Sequence, residues 1–191
     1  MKLFATGDQH FRHFNIIRYA DRPFELSHAG VQECGDTIIR EYNSIVTDED
    51  VVLFLGDLFH GRKYREADVT ETIGALNGRK ILFRGNHDPS SVAFYLSVFE
   101  EVHTCLQVGP YFISHYPCYQ SQWTSSPEKR HMAQMAPETT HVIHGHIHNK
   151  DPSEWEPDGL TRVNTCVDFT PNDFAPLELT DPLLLEHFLR K

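Results

Sequence analysis

Short apolar segments of this chain repeatedly end at small clusters of glycine, carboxylate, amide and imidazole groups. Five such clusters follow one another in order: Asp8-Gln9-His10, Gly56-Asp57-Leu58, Gly85-Asn86-His87-Asp88, His115 and His144-Gly145-His146-Ile147-His148. Each comes after a segment that its apolar pattern predicts to be a β-strand, so the clusters should lie at strand ends. Carboxylate, imidazole and amide groups gathered in this way are the ligands that a pair of divalent cations needs. The sequence therefore predicts metal-assisted hydrolysis.

The order of the predicted elements indicates an α/β fold. Residues 51–55 are all apolar, as expected for a strand buried on both faces. Apolar periodicity predicts strands at residues 2–6, 51–55, 80–83, 102–108, 111–114, 141–143 and 161–167, and helices at 13–20, 27–46, 66–76, 90–98 and 183–190. Strand and helix alternate in the first half, whereas the second half is mainly strand. We expect a four-layer α-β-β-α sandwich of two packed mixed sheets with flanking helices and the metal site at strand ends.

Length and charge limit the domain count and the partners. A chain of 191 residues is the size of one domain, here residues 1–191. The net charge of −10 argues against a broad nucleic-acid surface, because phosphate contacts come mainly from Lys and Arg, so no stable duplex is expected as a partner. Two divalent cations would make the local charge of the site positive, so that the site could attract a small phosphate ester.

Cysteine use and hydropathy favour a cytoplasmic protein. The four cysteines are far apart and form no Cys-x-x-Cys pair, which is typical of reduced thiols. No apolar run approaches the ~20 residues of a membrane span, so no membrane partner is expected. The sequence does not specify an oligomeric state.

Individual clusters allow more than one interpretation. On an extended segment Asp8 and His10 would point to the same side, so that one cation could touch both. The carboxylate of Asp57 has two oxygens and can bridge two metals. Alone, each of these clusters is also typical of a turn or a strand end.

The cluster at residues 85–88 is more specific. Asn86 offers a neutral oxygen ligand, and His87, which points elsewhere, is free to act on a substrate. Asp88 could hold the His87 imidazole in one tautomer and raise its pKa, which favours a proton donor near neutral pH. The alternative for Asp88 is a helix cap in a simple turn. His146 and His148 have the alternate spacing that would let both enter one metal site on an extended segment.

Taken together, these residues resemble the calcineurin-like metallophosphoesterase family, whose pattern is Asp-x-His, Gly-Asp, Gly-Asn-His-Asp/Glu, His and Gly-His-x-His. The resemblance extends over residues 6–148 and is to small single-domain bacterial and phage members. It implies two metal sites that share Asp57. The ligands of one would be Asp8, His10, Asp57 and His148, and those of the other Asp57, Asn86, His115 and His146. A metal-bridging hydroxide would attack phosphorus, and His87 would protonate the leaving oxygen.

The implied ligand set suits Mn²⁺, Fe, Zn²⁺ or Ni²⁺ better than Ca²⁺ or Mg²⁺. We take Mn²⁺ as the expected ion and keep the other three as alternatives. Weaker candidates for substrate contact are Arg84, Arg12 and His13. A second phosphate group could meet His60, Arg62 and Lys63, unless these form a solvated loop. Residues 117–137 and 150–160 directly follow motif residues and could border the pocket or serve as connectors.

Three functions remain open from the sequence. The first is a phosphoesterase acting on a phosphodiester or a phosphomonoester, with a diester or an activated aryl phosphate favoured because no inserted domain closes the pocket. The second is a nuclease on short oligonucleotides. The third is a non-catalytic scaffold on the same fold, which should show gaps in the ligand set, and no ligand position is missing here.

Overall fold

The computed structural model describes residues 1–60, 64–88, 91–119, 125–150, 159–169 and 174–190. The strands in this part of the chain are β1 (Leu3–Thr6), β2 (Val51–Phe54), β3 (Arg79–Phe83), β4 (Glu101–His103), β5 (Cys105–Val108), β6 (Tyr111–Ser114), β7 (His141–His144), β8 (Thr161–Asn164) and β9 (Leu177–Leu179). The helices are α1 (Ile16–Tyr19), α2 (His28–Ile45), α3 (Glu66–Gly74), α4 (Val92–Tyr95), α5 (Ser126–Met132) and α6 (Pro182–Leu189). No described helix has the length and apolar character needed to cross a bilayer.

The strands form two mixed sheets. The first has the order β4-β3-β2-β1-β9, with β9 antiparallel to β1 and the other neighbours parallel. The second has the order β5-β6-β7-β8, with β5 antiparallel to β6 and the others parallel. The predicted α/β fold with two packed mixed sheets is confirmed. The sequence did not predict β9, the edge strand of the first sheet.

Alternate residues of the first sheet pack on opposite sides, because successive strand side chains point to opposite faces. Val52 and Phe54 join a cluster with residues of α2 and α3, whereas Leu53 joins Ile113 and Ile143 of the second sheet in the core between the sheets. This arrangement confirms that β2 is buried on both faces. The outer face of the second sheet carries a third cluster that includes Met132 of α5, which completes the four layers.

The predicted strand at residues 102–108 is wrong in one respect. The chain leaves the first sheet at β4 and enters the second at β5, with Thr104 between them. The apolar pattern runs through both strands and gives no sign of the change of partner. The helices predicted at 13–20 and 90–98 are shorter in the structure, where they are α1 and α4, and α5 was not predicted.

The parallel strands determine where the polar clusters meet. Asp8, Asp57 and Asn86 follow β1, β2 and β3, whose carboxyl ends lie at the same edge of the first sheet. His115 and His146 follow β6 and β7, which are parallel neighbours in the second sheet. Ligand sites of open α/β sheets lie outside the carboxyl ends of the strands, and here the ends of both sheets contribute.

Candidate metal centre

The structure brings the predicted ligands into two groups. The first ligand group consists of Asp8, His10 and His148, and the second of Asp57, His115 and His146. Within each group the ligand atoms lie within 4.8 Å of one another. Asn86 joins the second group, because its Oδ1 lies 3.1 Å from Nε2 of His115. All seven residues predicted as ligands therefore converge on one place.

Asp57 lies between the two groups. Its Oδ2 is 3.6 Å from Nε2 of His115 in the second group and 3.8 Å from Nε2 of His10 in the first. Its Oδ1 accepts a hydrogen bond from the backbone N–H of His87 at 2.8 Å. One carboxylate oxygen thus faces ligands of both groups, which is the position that a bridging ligand needs.

The backbone at the ligands is not extended, so the geometry expected from the sequence is wrong. The left-handed region holds Asp8, His10, Asp57, His146 and His148, at φ of 58°, 48°, 54°, 75° and 55°. His146 and His148 therefore enter different groups, as the family resemblance implied, and do not share one site as an extended segment would have allowed. Such conformations cost about 1–3 kcal/mol each and persist only where the surroundings fix them.

Two glycines allow the ligand segments to approach each other closely. A Cβ on Gly145 would lie 2.3 Å from Oδ2 of Asp8, and a Cβ on Gly85 would lie 2.1 Å from Oδ1 of Asp57. In the space that Gly145 leaves, Asp8 Oδ2 accepts the backbone N–H of His146 at 2.7 Å. Gly85 and Gly145, two of the three motif glycines, are therefore required by the carboxylates that they face.

Asp88 does not orient His87, which corrects the role predicted for it. Its Oδ2 accepts the backbone N–H groups of Asp57 (2.9 Å) and Gly85 (2.8 Å), and its Oδ1 accepts that of Leu58 (3.1 Å). The carboxylate thus joins the turns after β2 and β3. The pKa of His87 is lowered by burial, with the charge of Asp57 opposing the shift, and not raised as expected.

His115 and His148 are oriented by different hydrogen-bond partners. Nδ1 of His115 lies 2.7 Å from the carbonyl oxygen of Leu55, so Nε2 faces the second group. Nδ1 of His148 lies 2.8 Å from Oδ2 of Asp168, and Asp168 accepts a hydrogen bond from Nε of Arg22 at 2.6 Å. Asp168 and Arg22 could not be identified from the sequence, because neither lies in a motif and they are 146 residues apart.

Burial makes the ligand residues suitable for cations. It lowers the pKa of His115 and of His146 to about 3, which leaves neutral imidazoles with free lone pairs. Burial also raises the pKa of Asp8 to about 7 and of Asp57 to about 6. Oδ1 of Asp8 is buried and has no hydrogen-bond partner among the described residues. A buried carboxylate oxygen without a partner is costly, and a divalent cation would compensate that cost, so these residues fit a metal pair.

A cavity of about 260 Å³ adjoins both groups. Its lining comprises His10, His13, Ile16, Tyr19, Asp57, His60, Asn86, His87, His146 and His148. The rings of His13 and His60 are stacked, with centroids 3.8 Å apart, and the His87 ring lies 4.3 Å from that of His60. The predicted substrate contact His13 and the predicted acid His87 therefore share one wall of the cavity.

The two arginines predicted as weaker substrate contacts bind protein groups. Arg84 donates from Nη2 to the carbonyl oxygen of Asp88 at 2.8 Å, and its guanidinium lies over the Tyr95 ring. Arg12 forms an ion pair with Asp68 at 2.7 Å, on α3. Neither arginine is among the described residues that line the cavity. The other basic candidates, Arg62 and Lys63, lie outside the described residues.

The described part of residues 117–137 contains α5, which begins after Ser125 as its N-cap and packs through Met132 on the outer face of the second sheet. This part contributes no residue to the described lining of the cavity. Most of the segment at residues 150–160 lies outside the described residues.

The two-sheet α/β fold and the paired ligand groups define a metal-binding protein of the phosphoesterase type. A sequence model of the calcineurin-like phosphoesterase family matches residues 1–112, which is more than half of the chain. The chain belongs to this family. The match ends before His115, His146 and His148, and the geometry of the second sheet brings these three histidines to the site.

Two relatives are similar to this chain over different lengths. The uncharacterized protein MJ1445 of Methanocaldococcus jannaschii is 41% identical over 87 residues, covering 46% of this chain and 47% of that protein. The match thus spans about half the length of that relative. The gene 66 protein of Mycobacterium phage L5 is 28% identical over 165 residues, covering 75% of this chain and 76% of that protein.

A solved structure shares the fold. The protein of unknown function AQ665 from Aquifex aeolicus superposes with a TM-score of 0.65 at 22% sequence identity, covering 93% of this chain and 95% of that one. At this level of identity the likeness shows the fold alone.

Proposed function

We propose that the protein is a hydrolase that uses two divalent metal ions to cleave a phosphoric ester, with His87 as the general acid. The observation that carries the proposal is the position of Asp57 Oδ2, within 3.8 Å of a ligand nitrogen of each group. The cavity beside Asp57 supplies space for an ester, and His87 lies in its wall.

The first ion would be held by Asp8, His10, Asp57 and His148, and the second by Asp57, Asn86, His115 and His146, with Mn²⁺ as the proposed ion. When bound, the two ions would make water a nucleophile at neutral pH and neutralise charge on the phosphoryl oxygens. The chain itself fixes the ligand geometry through the turns that Asp88, Gly85 and Gly145 hold together.

His87 is proposed to protonate the leaving oxygen. Burial lowers its pKa in the free protein, and the charge of Asp57 acts in the opposite direction. A bound phosphoryl group is negative, and a nearby negative charge favours the protonated imidazole. Substrate binding would therefore supply the condition under which His87 carries the proton that the leaving group needs.

The cavity wall supports a substrate with one phosphoryl group and an uncharged or aromatic alcohol. Tyr19, Ile16 and the stacked rings of His13 and His60 form much of the described lining, which contains no Lys or Arg. A second phosphate group would meet no fixed cation among these residues. We therefore propose a small phosphodiester or an aryl phosphate as the substrate class, rather than a polyphosphate.

The test is a screen of protein reconstituted separately with Mn²⁺, Fe²⁺, Zn²⁺ and Ni²⁺. Substrates would include aryl monoesters, aryl diesters, cyclic nucleotides and dinucleoside polyphosphates, and metal content would be measured on the same samples. We expect two metal equivalents and metal-dependent hydrolysis, with aryl diesters or monoesters cleaved faster than polyphosphates. Two bound equivalents with no hydrolysis under any metal would contradict the proposal and favour a non-catalytic scaffold.

A further inference from the structure

A continuous set of hydrogen bonds connects the ring of His148 to the backbone of Asp8. Nδ1 of His148 lies 2.8 Å from Oδ2 of Asp168, and Asp168 accepts from Nε and Nη2 of Arg22, at 2.6 and 3.3 Å. Arg22 also donates to the carbonyl oxygens of Asp8 (Nη2, 2.9 Å) and Gln9 (Nη1, 2.9 Å). Arg22 and Asp168 therefore reach both ends of the first ligand group.

The ion pair is almost completely buried. The side chain of Arg22 is 1% exposed and that of Asp168 is 2% exposed. Burying two charges costs much of what their attraction returns, so such a pair adds little net stability unless further hydrogen bonds complete it. Here the guanidinium binds Asp168 and two carbonyl oxygens, and the carboxylate binds Arg22 and His148. The pair is thus better suited to fixing geometry than to stabilising the fold.

The contacts of the pair fix the orientation of the His148 ring and the conformation of the turn at Asp8 and Gln9. A carboxylate on Nδ1 sets the tautomer of a ligating histidine and the direction of its other nitrogen. The carbonyl oxygens of Asp8 and Gln9 belong to a turn in which Asp8 and His10 have positive φ. Turns of this kind need partners that hold them in place, and Arg22 provides two hydrogen bonds to this one.

The second ligand group depends on different contacts. His115 is oriented by the carbonyl oxygen of Leu55, a main-chain atom of the residue that directly follows β2. Asp57 is held by the backbone N–H of His87 and by the turn that Asp88 joins. Neither Arg22 nor Asp168 has a hydrogen bond to a residue of the second group among the contacts of the described residues.

We propose that Arg22 and Asp168 are positioning residues that set the affinity of the first metal site and leave the second unchanged. Asp168 fixes the ring of His148, and Arg22 fixes both Asp168 and the Asp8-Gln9 turn. The inference rests on the proposed function in one respect, which is that the two ligand groups bind metal ions. It adds that the first site can lose its metal while the second site keeps its own.

The test compares metal binding of wild type and Asp168→Asn by calorimetric titration with Mn²⁺ and by elemental analysis. Loss of an outer carboxylate partner weakens a metal site by about 10–100-fold, and we expect this change at one of the two sites only. Electron paramagnetic resonance of the Mn²⁺-loaded protein gives a second readout. The spectrum of an interacting pair should be replaced by the six-line signal of a single Mn²⁺ at metal concentrations that saturate the wild type.

Arg22→Lys tests the other residue of the pair. It replaces Asp168→Asn as the test of the proposal if that variant does not fold. A lysine keeps the charge but cannot bind Asp168 and both carbonyl oxygens at once, so we expect a smaller loss at the same site. Asp50→Asn is the matched control. Asp50 is also a buried carboxylate that accepts backbone N–H groups, from Lys2 and Thr47, but it lies away from the site, and this variant should bind two metals as the wild type does.

Unchanged affinities at both sites in Asp168→Asn and Arg22→Lys would overturn the inference, as would equal weakening of both sites. In either case the wild type would still bind two metals and the proposed function would stand. A wild-type protein that binds no divalent metal would overturn both.

Discussion

The two ligand groups have similar chemistry but are held by different parts of the chain. The second group is fixed largely by main-chain atoms, such as the carbonyl oxygen of Leu55 behind His115. The first is fixed by side chains from distant segments, namely Asp168 behind His148 and Cys166, whose Sγ donates to Asp8 at 3.2 Å. A main-chain carbonyl oxygen is retained when its residue is substituted, whereas a side-chain partner is lost. The metal affinity of the first group should therefore be easier to adjust than that of the second by substituting residues that are not ligands.

The largest effect should come from the residue that both groups share. Asp57→Ala removes the oxygen that lies near His10 and His115, so neither group keeps its full ligand set. We expect loss of both metals and of all metal-dependent hydrolysis, measured by elemental analysis and by the substrate screen. Two retained metals in a folded Asp57→Ala protein would show that Asp57 does not bridge.

His87 belongs to neither group, so its substitution should separate activity from metal binding. His87→Ala should retain two metals and lower kcat by about 10²–10⁴-fold, the usual contribution of a general acid. Because a good leaving group needs little protonation, the loss should be smaller for nitrophenyl esters than for alkyl esters. An equal loss across a series of leaving groups would argue against the acid role.

Gly145→Ala should disturb the first group more than the second. The new Cβ would lie 2.3 Å from Oδ2 of Asp8, so the carboxylate must move. Overpacking of this kind costs about 1–3 kcal/mol of unfolding free energy, and metal titration should show weaker binding at one site. Gly74→Ala is the control, because its added Cβ meets no atom within 4 Å outside its own helix. It should leave metal binding unchanged and raise stability slightly, because Ala favours a helix more than Gly does. Equal weakening of both sites by Gly145→Ala would mean that a shift of Asp8 affects metal binding in both groups.

The smallest effect is expected at Arg12, which follows the first motif but pairs with Asp68 on α3. Its side chain is 49% exposed, and exposed ion pairs contribute at most about 1 kcal/mol. Arg12→Gln should therefore leave KM and kcat unchanged and lower the unfolding free energy only slightly. A raised KM would restore Arg12 as a substrate contact.

The sequence predicted most of what depends on local pattern. The buried strand β2 was visible as an uninterrupted apolar segment, and the helix predicted at residues 27–46 agrees with α2 to within one residue at each end. Six of the seven candidate ligands lie in short motifs at strand ends, and the lone His115 was assigned through the family resemblance. The change of sheet at Thr104 could not be predicted, because strand pairing depends on long-range partners and leaves the local pattern of residues 102–108 unchanged.

The errors at the site have a common cause, which is backbone conformation. An extended segment would have let His146 and His148 share one metal. The left-handed φ of both residues instead places them in the two separate groups that the family resemblance implied. The role predicted for Asp88 assumed that neighbours in sequence interact through their side chains. In the structure its carboxylate instead binds backbone N–H groups, including that of Asp57, 31 residues away. Asp168 and Arg22 carry no pattern of their own, so only the fold identifies them.

The hydrogen bonds that hold the first ligand group join the two ends of the chain. Asp8 binds the N–H of His146, 138 residues away, and Arg22 binds Asp168, 146 residues away. Contacts of such sequence separation form late in folding, because the entropy of closing the long intervening segments is lost before the contacts are made. A metal ion therefore meets a complete site only in a nearly native chain. We expect the stabilisation by bound ions to appear mainly as slower unfolding and not as faster folding.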